Sequence, residues 1–319
     1  MKPKIKRILK IALPLLLGVF LVWYSLSRIS IEELVSYFKK ADYSWIGLGV
    51  FFGLLSHLSR AYRWRFQLEP MGYNIKLGNS IMAVFAAYLI NYTIPRAGEV
   101  ARASIITNYE DVPFEKGLGS IVAERVADMI VMLGIITVTL FLQFDFIYGF
   151  LVEKFNPIKI VIVLSGFVIL IFFFIRFIKK STLRFAIRIK TFVNGLIEGA
   201  LSIFKMKKKW AYIFHTLFIW AMYVLMFYVT SFSLEQTSQI PFAAVLIGFI
   251  AASFSIAATN GGVGSYPEAI VLAFLLFNIP EDPSRAFGWI MWASQTLLII
   301  IFGGLSLVYL PIYNRIKRK

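Results

Sequence analysis

Apolar residues gather into runs of about bilayer length, roughly 20 residues, at 10–28, 43–64, 117–143, 158–178, 209–232 and 284–311. Each run predicts a membrane-spanning helix. Two further apolar segments are interrupted. One covers 77–107 and breaks at Tyr92-Thr93-Ile94-Pro95-Arg96-Ala97-Gly98; the other covers 241–278 and breaks at Asn260-Gly261-Gly262-Val263-Gly264. Proline removes a backbone donor and clustered glycines favour non-helical dihedrals, so helices end at both places. Ile31, Leu34, Val35 and Phe38 share one helical face, which predicts a short interfacial helix. The mixed basic and apolar stretch at 181–205 fits a helix lying on the inner leaflet. The first run follows Lys2, Lys4, Lys6 and Arg7, and Ser25-Leu26-Ser27-Arg28 is a poor cleavage site, so it reads as a retained anchor.

Loop charges decide whether the broken segments cross or turn back. With single crossings, Lys and Arg divide 15 inside to 17 outside, which is no bias. With both segments re-entering, the loops at 1–10, 60–76, 96–116, 176–209 and 312–319 are all inside and hold 26, against 6 outside. The positive-inside rule therefore selects two re-entrant hairpins. The expected fold is an all-α polytopic membrane protein of about six transmembrane helices plus two re-entrant helical hairpins. It forms a single integral membrane domain over 1–319, with both termini cytoplasmic. The elements at 43–143 and 209–311 have the same order and opposite orientation, the pattern of an inverted repeat.

Composition agrees. Hydrophobic residues make up 59% of the 319 positions and charged ones 16%, against about 45–50% and 25% in soluble domains. The formal charge of +16 would suggest nucleic acid in a soluble protein; here it lies in loops, where topology and anionic lipid account for it. Without cysteine, thiol catalysis and Cys-ligated metal sites are excluded. No metal-ligand spacing surrounds His57 or His215, which read as packing residues in apolar helices. No cofactor is expected.

Several charges lie in or against apolar runs: Arg96, Glu99, Arg102, Glu124, Arg125, Asp128 and Glu268. Alone at a helix centre each would cost about 2.5–3.5 kcal/mol, so they must pair or face water. Arg96, Glu99 and Arg102 recur at three-residue steps, and Glu124 and Asp128 are four apart, so each set shares a helix face. Two readings stand side by side. The set is an ion-pair knot holding the first hairpin against the span at 117–143, or it also forms a polar path for a lipid headgroup. Ser265-Tyr266-Pro267-Glu268 has capping-box spacing, so Glu268 is either a cap or a site residue. Arg60, Arg63 and Arg65 close the second span as snorkelling anchors, with Arg60 and Arg63 in reach of a headgroup.

These residues carry a family resemblance. Arg60-Ala61-Tyr62-Arg63-Trp64, Asn91 to Glu99 with Arg102, Glu124-Arg125 with Asp128, and Gly261-Gly262-Val263-Gly264 with Glu268 stand in the order of the lysylphosphatidylglycerol synthase transmembrane-region family. The resemblance covers essentially the whole chain. It implies the lipid-translocating half of such proteins, without the aminoacyl-transferring domain of the two-part members, and hence a non-enzymatic function. The expected activity is that of a flippase in the cytoplasmic membrane for a polar-headed, phosphate-bearing lipid. The expected substrate contacts are Arg60, Arg63, Asn91, Arg96, Glu99, Arg102, Glu124, Arg125, Asp128, Asn260 and Glu268. The competing readings are a membrane-embedded lipid-phosphate enzyme and a non-transporting partner of a glycosyltransferase or synthase. The partners are membrane lipids, with a homo-oligomer or a lipid-modifying enzyme compatible and nucleic acid excluded.

The charge split makes a prediction. Single cysteines placed at Arg96, Arg188 or Lys319 should be protected from an impermeant thiol reagent in intact cells, whereas those at Glu153 and Asp282 should react. Labelling of position 188 from outside would overturn the topology.

Overall fold

The structure, a computed structural model, describes residues 16–94, 97–154, 157–187, 189–190, 203, 206–259 and 261–317. The expectations attached to the basic N-terminus, Pro95, Arg96, Arg188, most of 181–205, Asn260 and Lys319 fall outside the described residues.

The described chain is helical throughout, without a strand among the described residues. The helices are α1 (Leu16–Leu26), α2 (Ile31–Lys40), α3 (Tyr43–Leu68), α4 (Leu77–Thr93), α5 (Ala97–Glu110), α6 (Phe114–Leu142), α7 (Phe144–Lys154), α8 (Pro157–Lys180), α9 (Lys209–Ser231), the single turn α10 (Glu235–Ser238), α11 (Phe242–Ala258), α12 (Ser265–Leu275) and α13 (Glu281–Lys317). Helices α6, α9 and α13 are long and apolar enough to cross a bilayer. Helix α3 is of similar length and carries Arg60, Arg63 and Arg65 in its final third. Local chemistry sets the starts: Ser30 Oγ accepts the Glu33 amide at α2, and Asp42 Oδ1 accepts the Ser44 amide at α3.

The chain divides into two compact units. The first comprises 1–121 and 207–319, the second 122–206, so α6 begins in one and continues into the other. In the second unit, α8 presents Phe167, Ile169, Leu170, Phe172 and Phe173 at 55–63% exposure. In water such a surface would drive aggregation; against acyl chains it is the favourable face.

In the first unit α3 and α9 are the most extensively packed pair, and they run antiparallel. Gly49 lies against Thr230, Gly53 against Met226, His57 against Tyr223, Arg63 against Thr216 and Gln67 against Tyr212. The pair is tied at one end by the Asp42 amide donating to the Ser233 carbonyl, and at the other by Lys208–Glu69 at 2.9 Å. The second of these is called the arginine-rich end below.

Both interrupted segments fold as helical hairpins on α13. Helix α4 starts beside the C-terminal part of α13, where Asn79 bonds Asn314 and Gly78 abuts Tyr313. It ends at Tyr92, whose hydroxyl is 3.1 Å from Thr296 Oγ1. By the helical rise Thr296 stands roughly 20 Å along α13 from Glu281, so α4 stops partway. After Thr93 the chain reverses, and α5 returns until Glu110 meets Asn79 again. Asn91 Oδ1 accepts the Gly98 amide at 2.8 Å across the reversal. The second hairpin, α11 and α12, turns through Gly261, Gly262 and Gly264, all at positive φ. Its Gly261 carbonyl accepts from Trp292 Nε1 at 2.8 Å. Gly288 lets α13 approach the backbone of Pro267 on α12. The two breaks are neighbours: a Cβ on Gly261 would stand 2.5 Å from the Tyr92 ring.

Close approach makes Gly98 a testable hinge. A Cβ there would lie 2.1 Å from the Ala87 carbonyl, whereas one on Gly47 would meet nothing within 4 Å. Gly98→Ala should destabilise the detergent-solubilised protein by about 1–3 kcal/mol through overpacking, and Gly47→Ala should not. Equal melting temperatures for the two variants would show that the α4–α5 hairpin is not closed as described.

Candidate functional site

Polar residues follow one stripe of α3 from its middle to its arginine-rich end: Ser56, His57, Ser59, Arg60, Arg63 and Gln67, all buried. Burial here differs from the snorkelling expected of Arg60 and Arg63, which are 3% and 0% exposed. Helices α9, α4 and α5 close over this part of α3, so the guanidinium groups stay inside the protein. Arg63 donates to Thr216 Oγ1 at 2.9 Å and lies over the Tyr212 ring. Gln67 donates to the Tyr212 hydroxyl. Arg65 does turn outward from this stripe, bonding the Ile75 carbonyl.

Arg102, on the returning helix α5, stacks its guanidinium 3.9 Å over the Trp64 ring centroid, and Trp64 in turn donates to Ser120 Oγ at 2.8 Å. A guanidinium against an indole face gains a cation–π contact that offsets part of its lost hydration. Glu99 is half-buried on the same helix. In the second unit, Glu124 is fully buried, Asp128 is 6% exposed and Arg125 faces outward. Each of Arg60, Arg63, Glu99, Arg102, Glu124, Arg125 and Asp128 engages a partner, as charges in an apolar setting must. Asn91 accepts the Gly98 amide and so shapes the first break.

The histidines pack as anticipated. His57 lies among Phe85, Tyr88 and Tyr223, with the Tyr223 hydroxyl 3.5 Å from Nδ1. His215 Nδ1 is 2.8 Å from Ser59 Oγ, and its ring meets Tyr62 and Phe66.

At the opposite end the capping box expected of Ser265 and Glu268 does not form. Ser265 does not cap α12; Gly264 occupies the N-cap position, and Ser265 Oγ pairs with Ser255 and Thr259. Glu268 is the partner of Arg285, whose Nε and Nη2 donate to its carboxylate at 2.9 and 3.4 Å. Ser25 of α1 donates to the same carboxylate at 2.6 Å and receives Trp289 Nε1. Arg285 is 2% exposed and also reaches Glu281 and Asp282 in its own first turns. Helix α2 borders this cluster: burial first, then the Glu33 and Asp282 carboxylates, push the Tyr37 hydroxyl above its ordinary value. Arg285 was absent from the expected site residues. Its signal was available, because a cation three and four residues after Asp282 and Glu281 at the head of an apolar run is the spacing of an ion-paired helix start.

Arg285→Met would leave Glu268 buried against Ser25 without its cation and should lower stability by about 3 kcal/mol. Adding Glu268→Met should restore much of that loss. Additive effects in a double-mutant cycle would mean that the pair is not coupled. Among the described residues no group of His, Cys, Asp and Glu is arranged to hold a metal ion.

Comparisons with known proteins agree with this architecture. Residues 11–303 match the family described as the lysylphosphatidylglycerol synthase TM region. A UPF0104 membrane protein of Methanocaldococcus jannaschii is 22% identical, over 95% of this chain and 95% of its own length. Glycosyltransferase AglD of Haloferax volcanii is 29% identical over 140 residues, which is 44% of this chain and 22% of AglD. With its helices, its two broken segments and nearly its full length matched, the chain is a multi-pass membrane protein belonging to the lysylphosphatidylglycerol synthase transmembrane-region family.

Proposed function

We propose that this protein moves a polar-headed, phosphate-bearing lipid between the leaflets of the cytoplasmic membrane. The observation that carries the reading is the meeting of the two helix breaks, Tyr92 against Gly261, partway along α13. In this reading α4–α5 enters the bilayer from the cytoplasmic face and α11–α12 from the other, both termini are cytoplasmic, and 43–143 and 209–311 are inverted repeats. Broken helices at mid-membrane are where secondary transporters commonly place their substrate sites.

The buried stripe of α3 supplies a route from the arginine-rich end toward those breaks. Arg60, Arg63 and Arg102 present guanidinium groups suited to phosphate, and Glu99 adds a carboxylate on the same helix as Arg102. The Arg285–Glu268 pair closes the other end in the present conformation. Acyl chains would remain in lipid while the headgroup follows the polar stripe. The protein needs no chemical step for this, and in this reading it is not an enzyme. The partial match to a glycosyltransferase favours one addition: the lipid is handed to, or received from, a lipid-modifying enzyme of that kind.

Reconstitution into liposomes with a headgroup-labelled phospholipid tests the proposal. An impermeant quencher should reach only outer-leaflet label in empty liposomes and inner-leaflet label as well when the protein is present. Arg102→Gln should slow that exposure at least about tenfold, the worth of one charge-assisted hydrogen bond, at unchanged folded yield. Inner-leaflet label that stays protected with wild-type protein would refute lipid translocation. A loss in Arg102→Gln that merely tracks folded yield would assign Arg102 a structural role.

A further inference from the structure

In the second unit an open cleft of about 570 Å³ lies at the C-terminal end of α8. Phe173, Arg176, Phe177 and Lys180 line it from the helix, and Ser181, Thr182 and Leu183 line it from the chain that follows. The four helical residues recur at three- and four-residue steps, so they share one face. At the helix end the Ser181 amide donates to the Phe177 carbonyl at 2.8 Å, and Ser181 Oγ accepts the Leu183 amide at 3.2 Å. A hydroxyl-held turn therefore follows α8 directly. Lys190 Nζ fastens it by donating to the Ser181 carbonyl at 3.1 Å. Ile178 and Ala186 are buried on either side of the turn.

Two unlike surfaces meet in this cleft. Phe173, Phe177 and Leu183 are 52–62% exposed, an apolar area that water would disfavour. Beside them Arg176 and Lys180 are exposed as well, and among the described residues neither is paired with a carboxylate. The surrounding chain offers none: no Asp or Glu occurs from 154 to 197, whereas Lys and Arg occupy six of the positions from 176 to 190. The charge at this end of α8 has one sign.

An occupant of the cleft must offer anionic oxygens and apolar length together. A free phosphate has only the first and gains nothing from Phe173 and Phe177. An anionic phospholipid has both. We propose that this cleft binds one anionic phospholipid of the cytoplasmic leaflet, its phosphate between Arg176 and Lys180 and an acyl chain along Phe173 and Phe177. The fork of the Arg176 guanidinium and the Thr182 hydroxyl suit phosphate oxygens, and basic residues close to the membrane surface are drawn to anionic lipid. The leaflet follows from the proposed orientation, in which the loop at 176–209 is inside. This lipid is distinct from the one carried, because no residue of the cleft belongs to the stripe of α3 or to the helix breaks.

Native mass spectrometry of the purified full chain in a non-ionic detergent provides the test, with dioleoylphosphatidylglycerol and dioleoylphosphatidylcholine titrated separately. Wild-type protein should retain one phosphatidylglycerol more than the Arg176→Gln, Lys180→Gln double variant. That lipid should be held at least about tenfold more tightly than phosphatidylcholine, the worth of two basic residues at a membrane surface. Thr182→Glu sets a carboxylate in the cleft and keeps both cations; it should also release the lipid, and serves if the double variant fails to fold. Lys159→Gln, near the other end of α8, should change nothing. Equal retention of the two lipids, or a double variant that behaves like Lys159→Gln, overturns the site. In the liposome assay the double variant should still expose inner-leaflet label. Loss of that exposure at unchanged folded yield would mean that the cleft handles the carried lipid, and overturns its assignment as a separate site. Wild-type protein that exposes no label refutes transport and leaves this site standing, because lipid retention is read without it.

Discussion

A helix that stops inside an apolar environment leaves amide and carbonyl groups that hydrocarbon cannot solvate, and the architecture of this protein depends on how those groups are met. At the first break Asn91 takes the Gly98 amide, and at the second Trp292 supplies a donor to the Gly261 carbonyl. Helix α13 stands behind both. It meets α4 at Gly303 and Thr296 and α12 at Gly288, where the absence of a side chain admits neighbouring atoms to close range. Helix α1 adds a further cover, its Leu21–Val22 backbone seated on Gly264. Each break is thus held by bonds and close contacts from neighbouring helices.

Charge is organised around the same frame. Guanidinium groups in the first unit are buried at both ends of the bundle, Arg60, Arg63 and Arg102 at one and Arg285 at the other. Each is accompanied by hydroxyls, carboxylates or aromatic faces, which offset the loss of hydration on burial. Arg285 is surrounded by three acids, so that end is acidic and locked by direct ion pairs. Arg63 and Arg102 have Thr216, Tyr212 and Trp64 among their contacts.

The amino-acid sequence by itself determined the helices. Runs at 43–64, 117–143, 209–232 and 284–311 became α3, α6, α9 and α13, and the Pro and Gly clusters marked both reversals, because hydrophobic length and backbone dihedral preference act within a few residues of chain. It also determined that Arg102, Glu124 and Asp128 could not stand alone, since the energy of a buried charge does not depend on which partner answers it. Partner identity was decided only by the tertiary structure. The spacing of Ser265 and Glu268 fits a local cap, yet the carboxylate goes to Arg285 and Ser25, which α13 and α1 bring to it. Arg60 and Arg63 have side chains long enough to snorkel, yet both are buried, with Thr216 and Tyr212 of α9 against Arg63. Tyr92 and Gly261 touch across well over a hundred residues of sequence, and Gln295 is isolated by Gly53 from another helix. Such pairings depend on helix register and crossing, fixed by small residues such as Gly49, Gly53, Gly288 and Gly303 acting together, and no local pattern in the chain encodes them.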